Sequence, residues 1–375
     1  MTQFVHIVSF DIPFPTNYGG VMDVFFKMAA LKAQGIQIIL HNFQYGDRKP
    51  NAILEQYCTE VHYYPRQNHV WKVFSVKPFI VATRNHADLL KRLQQDNHPI
   101  LFEGLHTCFD LHQFANCDRQ YMIRMHNIEW QYYQNLYELE SNYLKKIFFK
   151  IESIKLKYFE KHVLKQHPII LTISPADEDY FRKIYLDTQL ILPFHGHEHV
   201  KGCTGMGFGA LFHGKLSVSD NANAAMYLIE NVFSKMDMLF TIAGQNPPKS
   251  LINKAKQFKN IEIIANPDDQ TMADLIQKAH IQILLSFQTA GLKLKLLHAL
   301  FAGRHCVVNT PMVQNTGLES LCHLADTPKA ILKLLFELKN QPFSRDMIEK
   351  RRIILEHRFS DSANAKQIIQ LMMKL

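Results

Sequence analysis

The stretch Ile281-Gln-Ile-Leu-Leu-Ser-Phe-Gln-Thr-Ala-Gly-Leu-Lys-Leu-Lys-Leu-Leu-His-Ala-Leu-Phe-Ala-Gly-Arg-His-Cys-Val-Val-Asn309 decides the fold class. The apolar run Ile281 to Leu285 reads as a buried strand. After a short Thr/Gly loop, Leu292, Leu296, Leu297 and Leu300 recur at helical spacing. Gly303 stops that helix, and Cys306 to Val308 resumes as strand. The result is a βαβ unit. At its helix N-terminus, unpaired backbone N–H groups and the helix dipole favour an anion. Lys293 and Lys295 add positive charge there, although lysine in a first turn costs helix stability. A local cost without a local benefit points to function, and the reading is a diphosphate site. No GxxxxGK[ST] phosphate loop is present, so solvated lysines on an ordinary turn remain the alternative.

Working outward, 375 residues exceed one typical core and imply two domains. A hydrophobic content of 47% fits a folded chain. No run of about 18 uncharged apolar residues exists, so no membrane span is expected. The opening Met-Thr-Gln-Phe-Val-His-Ile-Val-Ser-Phe lacks a basic leader and reads as a strand, not a signal peptide. Six cysteines (58, 108, 117, 203, 306 and 322) form no CxxC pair. Reduced thiols in a cytoplasmic protein are expected, not a disulfide scaffold or structural zinc. The formal charge of +8 suits anionic ligands without choosing among nucleotide diphosphates, acidic lipids and nucleic acid.

The first half alternates strand and helix. Phe4 to Phe10 is a strand, followed by the loop Asp11-Ile-Pro-Phe-Pro-Thr-Asn-Tyr-Gly19-Gly20. A helix from about Val21 to Gly35 and a strand Ile36 to Leu40 complete the opening of a doubly wound sheet. Gly19 and Gly20 allow close backbone approach to a ligand, although the spacing is not GxGxxG. Further strands are expected at 60–64, 100–102, 121–125 and 169–173. Two strand ends are polar, Glu103-Gly104 and His126-Asn127-Ile128-Glu129, and ligands gather at such ends. In the long helical region Asn135 to Lys165, which has room for one break, Ile147, Ile151, Ile154 and Tyr158 share one face. Lys146, Lys150, Lys157 and Lys161 lie on a neighbouring face. Such a pair of stripes can rest on anionic lipid, or the basic one can be a solvated surface. Ser174-Pro-Ala-Asp-Glu178 has the signature of a helix start.

Periodicity stops after Leu192, which places a domain boundary between 1–195 and 196–359. His195, His197 and His199 alternate, but no second ligand cluster follows, so a metal site is not expected. Gly205-Met-Gly207-Phe-Gly-Ala210 matches a dinucleotide fingerprint by letter but lacks the strand before and helix after it. Alternation restarts with strands at 208–213, 238–243, 261–264, 281–285 and 305–308. His213-Gly214-Lys215 and Ala243-Gly244-Gln245-Asn246 are polar strand ends. The fold class is α/β, two doubly wound Rossmann-like domains with an interdomain cleft for a small molecule.

The whole chain resembles the retaining, metal-independent nucleotide-sugar glycosyltransferases of family 4, which have the GT-B fold. The resemblance is carried by Ile-Val-Ser-Phe-Asp-Ile-Pro-Phe-Pro-Thr-Asn-Tyr-Gly-Gly, by Arg124-Met-His126-Asn127-Ile-Glu129 and by Ala290 to Asn309. It implies a nucleotide-sugar donor, a glycan or lipid-linked acceptor, and no cofactor, metal or nucleic acid. The scattered cysteines imply action in the cytoplasm, and the basic helix allows contact at the inner membrane face. Gly19 and Gly20 resemble the loop that approaches the donor diphosphate, and His126 the histidine near the reacting sugar. Gly214 and Lys215 match the phosphate-contacting basic site. Gln245, Asn246 and Asn266 match donor loops. Gly291, Leu292, Lys293, Leu294, Lys295 and His298 fall in the donor segment. Lys215 and Lys293, with His126 and Glu129, are the candidate catalytic groups, and the helix 360–375 is expected to pack back on the first domain.

The departures are specific. The family's two glutamates fall at Ala290 and His298. A second lysine expected soon after Lys215 is replaced by Leu216-Ser-Val-Ser-Asp-Asn221. Lys293 or Lys295 would supply that charge instead. A catalytically lapsed binding protein and a sugar-nucleotide epimerase are the alternative functions.

Overall fold

The computed structural model describes residues 3–114, 119–140, 142–288 and 293–373. Contacts divide the chain into two compact units. The first comprises Met1–Thr16, Gly20–Phe194 and Asp361–Leu375, and the second Asn17–Gly19 and His195–Ser360.

The first unit is built on seven strands: β1 (Phe4–Ser9), β2 (Gln37–Gln44), β3 (Glu60–Pro65), β4 (Ile100–Glu103), β5 (Tyr121–Met125), β6 (Ile169–Thr172) and β7 (Thr188–Leu190). They pair in the order β3-β2-β1-β4-β5-β6-β7, all parallel. Val5, Ile7, Ile38, Leu40, Leu101 and Ile123 are fully buried, as continuous apolar strands of a covered parallel sheet must be. Each such side chain contributes about 1.5–3 kcal/mol on burial. Its helices are α1 (Gly19–Ala33), α2 (Phe79–Ala82), α3 (Ala87–Leu93), α4 (Glu129–Leu139), α5 (Tyr143–Leu164) and α6 (Pro175–Arg182).

Two boundaries differ from the sequence reading. Gly19 and Gly20 are the first residues of α1, not part of the loop before it. The region from 135 to 165 is broken once, as the sequence reading allowed, but its first helix begins earlier, at Glu129. The helix start at Ser174 is as expected: its hydroxyl accepts from Asp177 N at 3.2 Å, with Pro175 in the first turn.

The second unit has strands β8 (Phe208–His213), β9 (Phe240–Gly244), β10 (Ile261–Ala265), β11 (Ala279–Leu284), β12 (His305–Val308) and β13 (His323–Leu324). Their order is β10-β9-β8-β11-β12-β13, again all parallel. The helices are α7 (Ser219–Asn231), α8 (Lys249–Ala255), α9 (Asp269–Lys278), α10 (Leu294–Ala302), α11 (Thr310–Val313), α12 (Pro328–Leu338) and α13 (Arg345–Arg358). A last helix, α14 (Asp361–Met372), belongs to the first unit. Strand order reverses between β1 and β4 in one sheet and between β8 and β11 in the other. Doubly wound sheets bind ligands at the carboxyl ends of strands beside such a reversal.

Candidate functional site

In the first unit, a closed group of charges lies at the carboxyl end of β4 and β5. Asp23 and Lys27 are one turn apart on α1, Glu103 ends β4, and Arg124 and His126 come from β5 and the residue after it. All five are buried. Lys27 Nζ lies 2.9 Å from Asp23 Oδ2 and 2.8 Å from Glu103 Oε1. Arg124 grips Asp23 through Nε at 3.1 Å and Nη2 at 2.8 Å. Burial alone would raise the Asp23 carboxyl, but the Arg124 and Lys27 charges outweigh it and hold the group well below the usual carboxylate range. The same contest, won by Lys27 and the His126 hydrogen bond, lowers Glu103.

Asp23, Glu103 and His126 offer ligand atoms within 4.8 Å of one another. The cation already between the two carboxylates is the Lys27 ammonium. His126 Nε2 sits 2.9 Å from Glu103 Oε2. An ionised carboxylate only accepts, so Nε2 carries the hydrogen of this contact.

Asp23 also fixes where the chain leaves this unit. Its Oδ1 accepts from Phe194 N at 2.9 Å, and Arg124 Nη2 donates to Leu192 O at 3.1 Å. Sequence reading missed Asp23 and Lys27. The available signal was a charged pair four residues apart in the otherwise apolar run Val21-Met-Asp-Val-Phe-Phe-Lys-Met28.

Glu129, a candidate catalytic group, opens α4 as a buried acid. Burial, with the Glu160 charge nearby, pushes its carboxyl up to about 8. Glu160 itself is raised to about 7 by burial and accepts from Tyr180 OH at 2.9 Å. Glu129 is therefore a neutral acid at neutral pH, answering to Asn127 and Glu160.

In the second unit the strand ends converge from β8, β9, β10 and β11. Gly214 and Lys215 follow β8. A Cβ at Gly244 would collide with Gly214 O, so the ends of β8 and β9 approach as only glycine permits. Gln245 Nε2 donates to Pro267 O at 3.3 Å and Asn246 N to Asn266 Oδ1 at 2.7 Å. Asn246 and Asn266 both adopt left-handed backbone, with φ of 50° and 53°, a region asparagine tolerates. Donor residues assigned to two separate loops thus meet.

The loop after β11 is pinned from both sides. Asp220 accepts from Ser286 Oγ at 2.9 Å and from Phe287 N at 2.8 Å. The Asn309 amide exchanges two bonds with the Ser286 backbone, at 3.0 and 2.7 Å. Ala290, Gly291 and Leu292, named from the sequence, lie outside the described residues. Helix α10 starts at Leu294, so Lys293 occupies the capping position and Lys295 alone of the pair is inside the first turn. Lys293 Nζ donates to Gln288 O at 2.8 Å.

Lys295 Nζ donates to Asn221 Oδ1 at 2.7 Å and to Leu285 O at 3.4 Å, above the Phe212 ring at 5.1 Å. Burial lowers its ammonium to about 8, with Asp220 pulling the other way. Asn221 in turn holds Lys215 O at 3.0 Å. Asp220, Asn221, Ser286 and Asn309 were not singled out from the sequence.

His298, on α10, has Nδ1 2.9 Å from His197 Nε2. Burial drives it down to about 3, so it is a neutral ring. Among the described residues nothing bonds its Nε2, and the same holds for His213 Nε2. His195, His197 and His199 do not converge on a shared centre: their named partners are Phe359 O, His298 and Glu356.

Residues 207–334 match the family described as glycosyl transferases group 1. A Klebsiella pneumoniae protein, named an uncharacterized 44.6 kDa protein in the cps region, is 26% identical over 334 residues, spanning 84% of this chain and 83% of the relative. Sucrose-phosphate synthase (tll1590) from Thermosynechococcus elongatus has a similar fold, with TM-score 0.71, 14% identity and 98% of each chain covered. Anabaena Alr3699/HepE, solved with UDP and glucose, gives 0.67 at 11% identity with both chains fully (100%) covered. WaaG, a glycosyltransferase involved in lipopolysaccharide biosynthesis, gives 0.64 at 10% identity, covering 99% of this chain and 100% of that one. The fold is the α/β GT-B architecture of two Rossmann-like units, and the match over 207–334 supports a glycosyltransferase built on it.

Proposed function

We propose that this chain transfers a sugar from a nucleoside-diphosphate donor to a glycan or lipid-linked acceptor, retaining configuration and needing no metal. The observation that carries the reading is the position of the Lys295 ammonium. The segment after Lys215 lacks the second lysine of the family, and Lys295 reaches into that segment from α10 to bond Asn221. The missing charge is supplied from another element. Around it lie the β8 end with Lys215, Lys293, and the first N–H groups of α10, all beside the reversal between β8 and β11.

As the sugar–phosphate bond breaks, charge grows on the leaving diphosphate. Fixed cations and a helix N-terminus stabilise that charge without rearranging. The departing phosphate takes the acceptor proton on the same face of the sugar, which gives retention. His126, through Nδ1, holds a sugar hydroxyl or orients the acceptor. His298 Nε2 accepts one ribose hydroxyl where the family has glutamate. Gln245, Asn246 and Asn266 hold the base. The UDP-bound neighbour makes uridine diphosphate sugars the first donors to try.

A second reading has one specific support. With Ala290 and His298 at the glutamate positions, the chain could bind a glycan or partner without catalysis. A donor panel decides between them. Transfer or hydrolysis of a UDP-, GDP- or ADP-sugar that is abolished in Lys215→Ala and Lys293→Ala, with unchanged melting temperature, supports the enzyme. Donor binding without any turnover supports the lapsed protein, and no donor binding at all defeats the transferase reading.

A further inference from the structure

The run Gly205-Met-Gly207-Phe-Gly-Ala210, which is not a dinucleotide fingerprint, shapes a second recess in the second unit. It lies where β8 begins, whereas Lys215 follows the other end of that strand. Gly207 runs against the backbone of β11, and a Cβ there would sit 2.7 Å from His280 N and Cα. Its own N–H donates to His280 Nδ1 at 3.0 Å. Gly209, with φ of 57°, passes Leu239 O so closely that a Cβ would lie 2.5 Å from it. Only glycine permits both approaches. The side chains between these glycines are left standing out from the sheet: Met206 is 50% exposed and Phe208 75%.

Met206 and Phe208 wall a cavity of about 740 Å³, continued by Leu211, Leu239 and Leu275. That is the size of a small-molecule site. Every lining residue belongs to the second unit. The charged ones sit at opposite ends. On the β9–β10 side Glu262 accepts from Thr241 Oγ1 at 2.6 Å. On the β11–β12 side are Lys278, just before β11, and Arg304, just before β12. In the order β10-β9-β8-β11-β12 these ends are four strand spacings apart, about 19 Å. Over that distance Glu262 does not neutralise the cations.

Arg304 defines the ligand. It is 9% exposed, and its Nη1 donates to Gln277 O and, at 3.4 Å, to Ala279 O. Among the described residues its Nε has no partner, and no carboxylate pairs with the guanidinium. A buried charge held only by carbonyl oxygens favours an arriving counter-ion. Lys278, exposed at the same end, adds to that field.

We propose that this cavity binds a small amphipathic organic anion. A carboxylate or phosphate head lies beside Arg304 and Lys278, where a guanidinium can take either by paired N–H bonds. The apolar body lies along Leu239, Met206 and Phe208. The site shares no residue with the strand-end lysines and stands whether or not the chain transfers sugar.

Calorimetric titration of the full chain with octanoate, octyl phosphate and octanol tests it. At least one anion should bind, and at least about tenfold more tightly than octanol, the worth of one charge-assisted contact. Binding of one anion and not the other supports the proposal and identifies the head. Phe208→Ser and Lys278→Glu should each weaken the anion by about fivefold or more. Both side chains are exposed, so their melting temperatures should match wild type. Arg304→Met should abolish binding, and the two exposed variants carry the test if it fails to fold. Lys215→Ala/Lys293→Ala should bind like wild type. Octanol binding as tightly as the anions, no anion binding up to millimolar, or full affinity in Phe208→Ser and Lys278→Glu overturns the proposal. So does loss of binding in Lys215→Ala/Lys293→Ala, because the anion then sits at the strand ends.

Discussion

Both units bury lysine near the carboxyl ends of their strands, but they treat the charge differently. In the first, Lys27 lies between Asp23 and Glu103, and Arg124 completes a set of two acids and two bases. The protein supplies every counter-charge, so the group is a keystone for α1, β4, β5 and the chain exit at Phe194. In the second, among the described residues, Lys295 bonds only neutral oxygens, those of Asn221 and Leu285, with the nearby Asp220 carboxylate engaged by Ser286 and Phe287. Its proton is held weakly, at about 8. A buried cation with neutral partners gains most from an arriving anion, whereas a neutralised one gains little. On the proposed reading, the difference separates a structural charge cluster from a donor site.

The largest effect should come from breaking the matched set. Arg124→Met leaves Asp23 and its carbonyl contacts uncompensated and is expected to cost about 3–5 kcal/mol, read by urea denaturation. A loss below about 1 kcal/mol would show that the cluster is not a keystone.

Next is Glu129, which the first unit keeps neutral instead of pairing. The unfolded chain releases this proton near the ordinary 4.5, while the folded chain keeps it to about 8. Between those values the folded state binds more protons, so stability falls as pH rises. Glu129→Gln removes that slope and should exceed wild type at pH 8 by about 2–4 kcal/mol while matching it near pH 5. Parallel pH profiles of melting temperature would contradict the assignment.

Lys295→Met sharpens the contrast directly. The ammonium's bonds to two neutral oxygens are lost, but a buried charge is removed with them, so stability should change by about 1 kcal/mol or less. Donor affinity should fall about tenfold to a hundredfold, the worth of one charge-assisted bond. In wild type, donor binding should weaken as pH rises past 8, where this ammonium deprotonates. The smallest effect is a control touching neither region: Ser174→Ala removes the cap of α6 and should cost about 1 kcal/mol.

The sequence made the sheets legible because parallel strands covered on both faces are apolar throughout, as in Ile281 to Leu285. It gave no warning of β7 and β13, which have three and two residues and no periodicity to read. The strand-end residues Lys215, Gln245 and Asn246 were legible because glycine and polar side chains interrupt apolar runs, and Asn266 through the family resemblance. Their pairings were not. Arg124 meets Asp23 from 101 residues away and Lys295 meets Asn221 from 74, and such pairings arise only when the sheet assembles. For α5, periodicity located the isoleucine stripe but could not say which way it faces. That was decided by the partners of Glu152 and Glu160, which come from Phe79 and Tyr180 on other elements.

The central claim is that the second unit's lysines await a diphosphate. Calorimetric titration of UDP-, GDP- and ADP-sugars into wild type and Lys295→Met tests it most directly. At least one donor should bind wild type and raise its melting temperature, with the affinity reduced at least about tenfold in the variant. Equal binding by both proteins, or none by wild type up to millimolar donor, would contradict it.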